Sequence, residues 1–314
     1  MAGSTTPKTI LSIGGVSLRV VSETGTNDRY DGPYSTFTRP PAPVSQNRSS
    51  IEVTVVEAPA PPNDSAPLFD SDAIWTMQPE GEGYRLNFFR EGSQTPHTVA
   101  LSDGGTTRVR VHASGERSQA GAADDVTAEP VFSPVRYPLD QLLLMNHLAP
   151  RGGVIVHATG LLLGSLALVL PGCSGAGKST IARLFTEQGL GDSLLSDDRI
   201  IITACEGEEP TAWGTPWPGD ARVALNRHSP LAGLLFLARA EVNELVRLTP
   251  SEGGRRLMPV ITSPWYDPGR LPGVLDTCSG LVESIPCYEL RFRMDSAAVD
   301  AVLSHDWDSE GPGG

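Results

Sequence analysis

The chain has 314 residues, and its 24 Lys plus Arg against 37 Asp plus Glu give a formal net charge of −13. No basic run interrupts that acidity, so nucleic acid and anionic membrane, which both depend on clustered positive charge, are not expected partners. The N-terminus "MAGSTTPKTILSIGG" has no signal-peptide pattern, the longest apolar stretch is broken by Gly164 and Ser165, and the four cysteines form neither C-x-x-C pairs nor a disulfide framework. A cytoplasmic protein without a membrane span is the expectation.

The length suits two domains. In the first, spanning 1–130, "TILSIGGVSLRVVS" reads as two short strands about Gly14 and Gly15. Further strands are expected at "IEVTVVE", "YRLNFFRE", "HTVALSD" and "TRVRVHAS", where alternating or β-branched residues lie between turn formers. These predict an antiparallel β-rich module, interrupted by the Pro-rich connectors "RPPAPVSQNRSS" and "EAPAPPNDSAP". The polar, Gly/Ala-rich "ASGERSQAGAADDVTAEP" is the expected boundary.

From 131 to 307 the pattern changes. "YPLDQLLLMNHLAP" predicts a helix, and "GGVIVHATG" and "SLALVLPG" predict buried strands connected by "LLLG". A helix at "KSTIARLFTEQGLG" follows, then strands at "LLSDDRIIIT", "PLAGLLFLAR" and "CYELRFRMD", with helices at "GRLPGVLDTCSGLVES" and "SAAVDAVLSHDW". This alternation predicts an α/β domain with layers packed on a sheet, and residues 308–314 read as a flexible tail.

The chemistry concentrates in "VLPGCSGAGKSTIARLF". Gly172, Cys173, Ser174, Gly175, Ala176, Gly177, Lys178 and Ser179 match G-x-x-x-x-G-K-[ST] between a predicted strand and a predicted helix, the context that motif requires. Glycines let the backbone curl so that N–H groups converge on phosphate, the helix presents its positive end, Lys178 reaches the β and γ oxygens, and Ser179 ligates Mg²⁺. Downstream, "SDDR" places Asp197 and Asp198 at the head of a strand. One is suited to the metal and the other to taking a proton from an acceptor hydroxyl, or one of them is structural, and their spacing leaves these assignments open. His157 stands in the strand before the loop and by itself reads more readily as a satisfied core histidine than as a catalyst.

The order of His157 in a strand, a second strand, the glycine-rich loop with its helix, and Asp-Asp-Arg opening a hydrophobic strand resembles the HPr kinase/phosphorylase family and its wider set of HPr-kinase-like proteins. The resemblance covers roughly residues 137–202. It implies a mixed-sheet P-loop core shared with phosphoenolpyruvate carboxykinases, ATP bound over residues 172–180 with Mg²⁺ at Ser179 and Asp197, and catalysis by Asp198, Asp197, His157 and Lys178. The implied reaction moves the γ-phosphoryl group of ATP to a serine-type hydroxyl of a peptide, protein or small molecule, and the resemblance leaves room for a homo-oligomer. Thr180 stands where authentic HPr kinases carry an acidic residue, and their downstream Gly-rich signature is missing, so an acceptor other than HPr is expected. Asp220 and Arg222, in "GTPWPGDARVALNRHSP", are candidate acceptor contacts, and Arg255, Arg256 and Arg270 are candidate phosphate contacts on a flap formed by "RRLMPVITSPWYDPGR". Two other readings stay open: an ATP-binding switch or scaffold that transfers nothing, and a carboxykinase-like enzyme acting on a small acid.

Overall fold

The computed structural model describes residues 9–23, 30–39, 49–72, 74–113 and 135–307. Nearly all of the expected boundary segment, most of the first Pro-rich connector and the tail at 308–314 lie outside these residues. Over the described residues the chain is mixed α/β, with two mixed nine-stranded sheets and few helices. Its contacts divide it into compact units, Met1–His147 and Leu148–Gly314, so the helix placed at the head of the second domain is counted with the first unit. Among the described residues no helix is long and apolar enough to cross a membrane.

In the first unit, β1 (Thr9–Ile13) and β2 (Val16–Ser22) form the expected hairpin. They are followed by β3 (Thr38–Arg39), β4 (Ser50–Val56), β5 (Phe69–Asp70), β6 (Trp75–Glu80), β7 (Gly83–Phe88), β8 (Thr98–Ser102) and β9 (Arg108–Ala113). The spatial order is β3-β1-β2-β4-β9-β8-β7-β6-β5. Strand β4 lies parallel to both β2 and β9, which corrects the antiparallel expectation. Alternation within a segment identifies a strand but carries no information about its partner, and each parallel pairing here needs a long crossover that local turn signals do not announce. Strand β6 escapes the sequence reading because Pro79 falls inside it; it lies next to the short edge strand β5.

Helix α1 (Leu139–Leu148) is buried along its whole length. Several of its polar side chains find partners inside the unit, while Gln141 Nε2 has none among the described residues. Asp140 accepts a hydrogen bond from the Tyr34 hydroxyl at 2.7 Å, while the His147 ring bridges the Ser49 hydroxyl at 2.5 Å and the Thr106 carbonyl at 2.8 Å.

The second unit is built on two long strands. β10 (Gly153–Leu163) pairs with β13 (Arg199–Thr203) along its first half, and with β11 (Leu166–Pro171) and β12 (Leu194–Ser196) along its second. The "LLL" expected as a connection is thus part of β10, and the turn is only Gly164 and Ser165. β14 (Thr211–Trp213) pairs antiparallel with the start of β15 (His228–Arg239), whose remainder runs parallel to both β11 and β18 (Cys287–Phe292). Short β16 (Glu244–Arg247) and β17 (Ile261–Thr262) pair with β18 and β10.

Helices α2 (Lys178–Glu187), α3 (Pro250–Leu257), α4 (Leu271–Ser284) and α5 (Ala297–Leu303) complete the unit. One buried cluster joins Val156, Val169 and Leu234 to Leu257 of α3 and Leu281 of α4. A second joins Leu168, Leu170 and Leu290 to Phe185 of α2 and Val299 of α5. Strand β11 contributes to both clusters and has paired neighbours on each edge, so the loop that follows it leaves a fixed platform.

Candidate active site

The chain leaves β11 at Pro171 and enters α2 at Lys178, curling through residues 172–177. The backbone requires glycine at Gly177, where φ is 108° and a Cβ would lie 3.0 Å from the Phe292 ring. Gly177→Ala is therefore expected to destabilise the chain by about 1–3 kcal/mol, read as a lower denaturation midpoint. An unchanged midpoint would mean that the loop has a second, relaxed path. Lys178 is buried, and its ammonium donates to the carbonyls of Gly172 at 2.7 Å and Cys173 at 3.2 Å. Burial draws its pKa below the ordinary lysine value, against the opposing pull of the Asp198 carboxylate.

Asp197 and Asp198 sit between β12 and β13, and the two take different roles. Asp197 is only 3% exposed. Its Oδ1 accepts the backbone N–H groups of Gly219 at 2.9 Å and Val223 at 3.1 Å, and its Oδ2 accepts that of Ala221 at 2.7 Å. Three of roughly four lone-pair positions are thereby spent on holding the 219–223 loop. The approach is close enough that a Cβ on Gly219 would lie 3.0 Å from Asp197 Oδ2.

Asp198 faces other side chains. Its Oδ1 lies 2.9 Å from His157 Nε2 and its Oδ2 2.7 Å from an Arg199 nitrogen. Burial raises its carboxyl pKa, but His157, Arg199 and Lys178 together outweigh that effect and hold it below the usual carboxylate value. Backbone bonds fix the histidine against both neighbours: Gly172 N–H donates to the His157 carbonyl at 3.1 Å, and Ala158 N–H to the Asp198 carbonyl at 3.0 Å. His157 is thus tied to the acidic pair and to the entry of the loop, which a histidine in an apolar strand did not by itself reveal.

These groups line one cavity of about 420 Å³, within the usual range of ligand pockets. Ser174, Gly175, Gly177, Lys178, Ser179 and Thr180 form one wall, and His157, Asp197, Asp198 and Asp220 line it as well. Gly172, Cys173 and Ala176 shape the loop without lining the cavity, and Arg222 is not among the lining residues. Arg222 holds a left-handed backbone, φ 57°, in the loop that Asp197 anchors.

The expected flap is built into the domain: its first residues close α3 and its middle forms β17 against β10. Arg256 pairs with Glu289 and Arg270 with Asp267, each within 2.8 Å, and neither they nor Arg255 line the cavity. Arg239 does line it, and the sequence reading missed it. Its only local signal is a basic residue ending "PLAGLLFLAR"; that this strand lies beside β11 is a long-range fact.

A glycine-rich loop, a lysine and a helix N-terminus lining one cavity favour a polyanion. A Mg²⁺ ion carried by phosphates needs only one or two protein carboxylates and a hydroxyl. Exposed Ser179, in the first turn of α2, with Asp198 or Asp220 fits that donor set better than Asp197, whose oxygens are nearly saturated. Among the described residues, no group of three or more His, Cys, Asp or Glu side chains forms a self-sufficient metal site. Compared with known proteins, the chain matches no protein-family model and no curated protein.

Proposed function

We propose that the chain is an ATP- and Mg²⁺-dependent kinase that moves the γ-phosphoryl group to a serine-type hydroxyl, on a P-loop core like that of HPr kinases and phosphoenolpyruvate carboxykinases. The observation that carries this reading is the His157–Asp198 pair, at 2.9 Å, lining the same cavity as the glycine-rich loop and Lys178. A loop alone accounts for holding phosphate; a carboxylate directed into the same space adds a group able to accept a proton from a hydroxyl.

In this reading the loop N–H groups and Lys178 hold the phosphate chain, and Mg²⁺ when bound neutralises charge on the β and γ oxygens. Asp198 orients the acceptor hydroxyl and receives its proton as the new O–P bond forms and the bond to ADP breaks. His157 keeps the carboxylate directed at the acceptor and ionised. With a loose transition state, positioning and charge stabilisation supply most of the acceleration, so a carboxylate of low basicity is adequate. Asp197 contributes indirectly, by fixing the loop that carries Asp220.

The test is acceptor-dependent ADP release from Mg-ATP across peptide and metabolite libraries. Release that rises with a hydroxyl-bearing acceptor supports the reading, whereas nucleotide binding with no acceptor-dependent release would leave the switch alternative in its place. The pH dependence provides a further expectation. Asp198 must be ionised to act, and its depressed pKa keeps it so through the neutral range. His157→Ala removes the neighbour that favours the charged form, so the acidic limb of the pH–rate profile is expected to move to higher pH. A limb that stays in place would show that Asp198 does not set it.

A further inference from the structure

We propose that Arg239 is a second cation for the polyphosphate, acting from the side of the loop opposite to His157 and Asp198; this rests on the kinase reading above. Strand β15 runs parallel to β11 and pairs with it, so Arg239, its last residue, and the glycine-rich loop leave the sheet at the same edge. That edge, at the carboxyl ends of parallel strands, is where α/β folds place ligands. Strand β10, which carries His157, flanks β11 on its other side.

The position of Arg239 relative to the loop is set by rigid contacts. Its backbone lies opposite Phe292 of β18, and the Phe292 ring is the surface on which Gly177 packs. The side chain is exposed and lines the cavity. Among the described residues it forms no ion pair or side-chain hydrogen bond, although Asp220 lines the same cavity. Other arginines of the unit are already committed, Arg199 to Asp198, Arg256 to Glu289 and Arg270 to Asp267, and none of the three lines the cavity. Lys178 is the other cation lining the cavity. A guanidinium presents a planar fork that matches two phosphate oxygens at once, so Arg239 complements the point charge of Lys178.

The experiment titrates the full-length native chain, Arg239→Gln and Arg239→Lys with Mg-ATP, Mg-ADP and inorganic tripolyphosphate. Arg239→Gln is expected to weaken all three by roughly 10- to 100-fold, the worth of a charge-assisted hydrogen bond. Arg239→Lys should recover part of that loss, with denaturation midpoints unchanged because the side chain is exposed. Should the glutamine variant lower the midpoint, the lysine variant, still several-fold weaker than native, carries the test. Unchanged tripolyphosphate affinity would overturn the inference even if ATP binding fell, since the arginine would then contact the nucleoside. If the native chain binds the three ligands and both variants match it, this inference alone fails; if the native chain binds none of them, the kinase reading fails with it.

Discussion

Asp198→Asn is expected to lower phosphoryl transfer by about 10²- to 10⁴-fold, the usual worth of a positioned general base, while changing the dissociation constant for Mg-ATP only a few-fold. The side chain keeps its shape but loses its charge and one acceptor oxygen, and with them its ability to take a proton and part of its hold on His157 and Arg199. The groups assigned to the phosphates, Lys178 and the 172–177 loop, are bonded to one another and not through the Asp198 carboxylate. Turnover and nucleotide titration on the same preparation separate the two effects. Transfer within threefold of native would remove Asp198 from the mechanism, and loss of nucleotide binding in step with turnover would give it a role in holding ATP.

Asp197→Ala should act on stability. It leaves the N–H groups of Gly219, Ala221 and Val223 without their acceptor, behind a carboxylate that is only 3% exposed. An unsatisfied buried donor costs about 1–3 kcal/mol, and some of the three will reach water as the loop shifts, so a loss of about 3 kcal/mol is expected. Against a typical total of 5–15 kcal/mol that is large. Asp197→Asn retains one acceptor oxygen and should lose roughly half as much. Urea unfolding followed by tryptophan fluorescence measures both, since Trp213, Trp217 and Trp307 all lie in the second unit. A loss under about 0.5 kcal/mol for Asp197→Ala would mean that the loop is held by other contacts.

The pair illustrates what was legible from residues alone. The glycine-rich loop could be read because its chemistry lies within one continuous stretch: Gly177 needs a left-handed backbone and Lys178 must follow it into a helix, and both demands appear as letters in order. The strands before it were legible for the same local reason, whereas "LLSDDRIIIT", expected as one strand, is β12 and β13 with the acidic pair between them. That Asp197 turns to the 219–223 backbone while Asp198 turns to His157 depends on β12 and β13 sharing β10 as a partner, which no short window contains. Arg239 was missed on the same ground, because its relation to the loop runs through the parallel pairing of β15 with β11. In the first unit the strands of "IEVTVVE" and "TRVRVHAS" were readable, but their parallel pairing was not. The proposed flap failed for a different reason: "SPWYDPGR" is rich in turn formers, yet Ile261 and Thr262, just before it, are drawn into the sheet by β10.

The kinase reading is tested most directly by following ³¹P NMR signals of Mg-ATP mixed with the native chain and a pool of hydroxyl-bearing peptides and metabolites. The account predicts a phosphomonoester resonance that grows in step with ADP, and that is lost with Asp198→Asn. Growth of inorganic phosphate alone, or an ATP spectrum that binds and broadens but never changes, would contradict it.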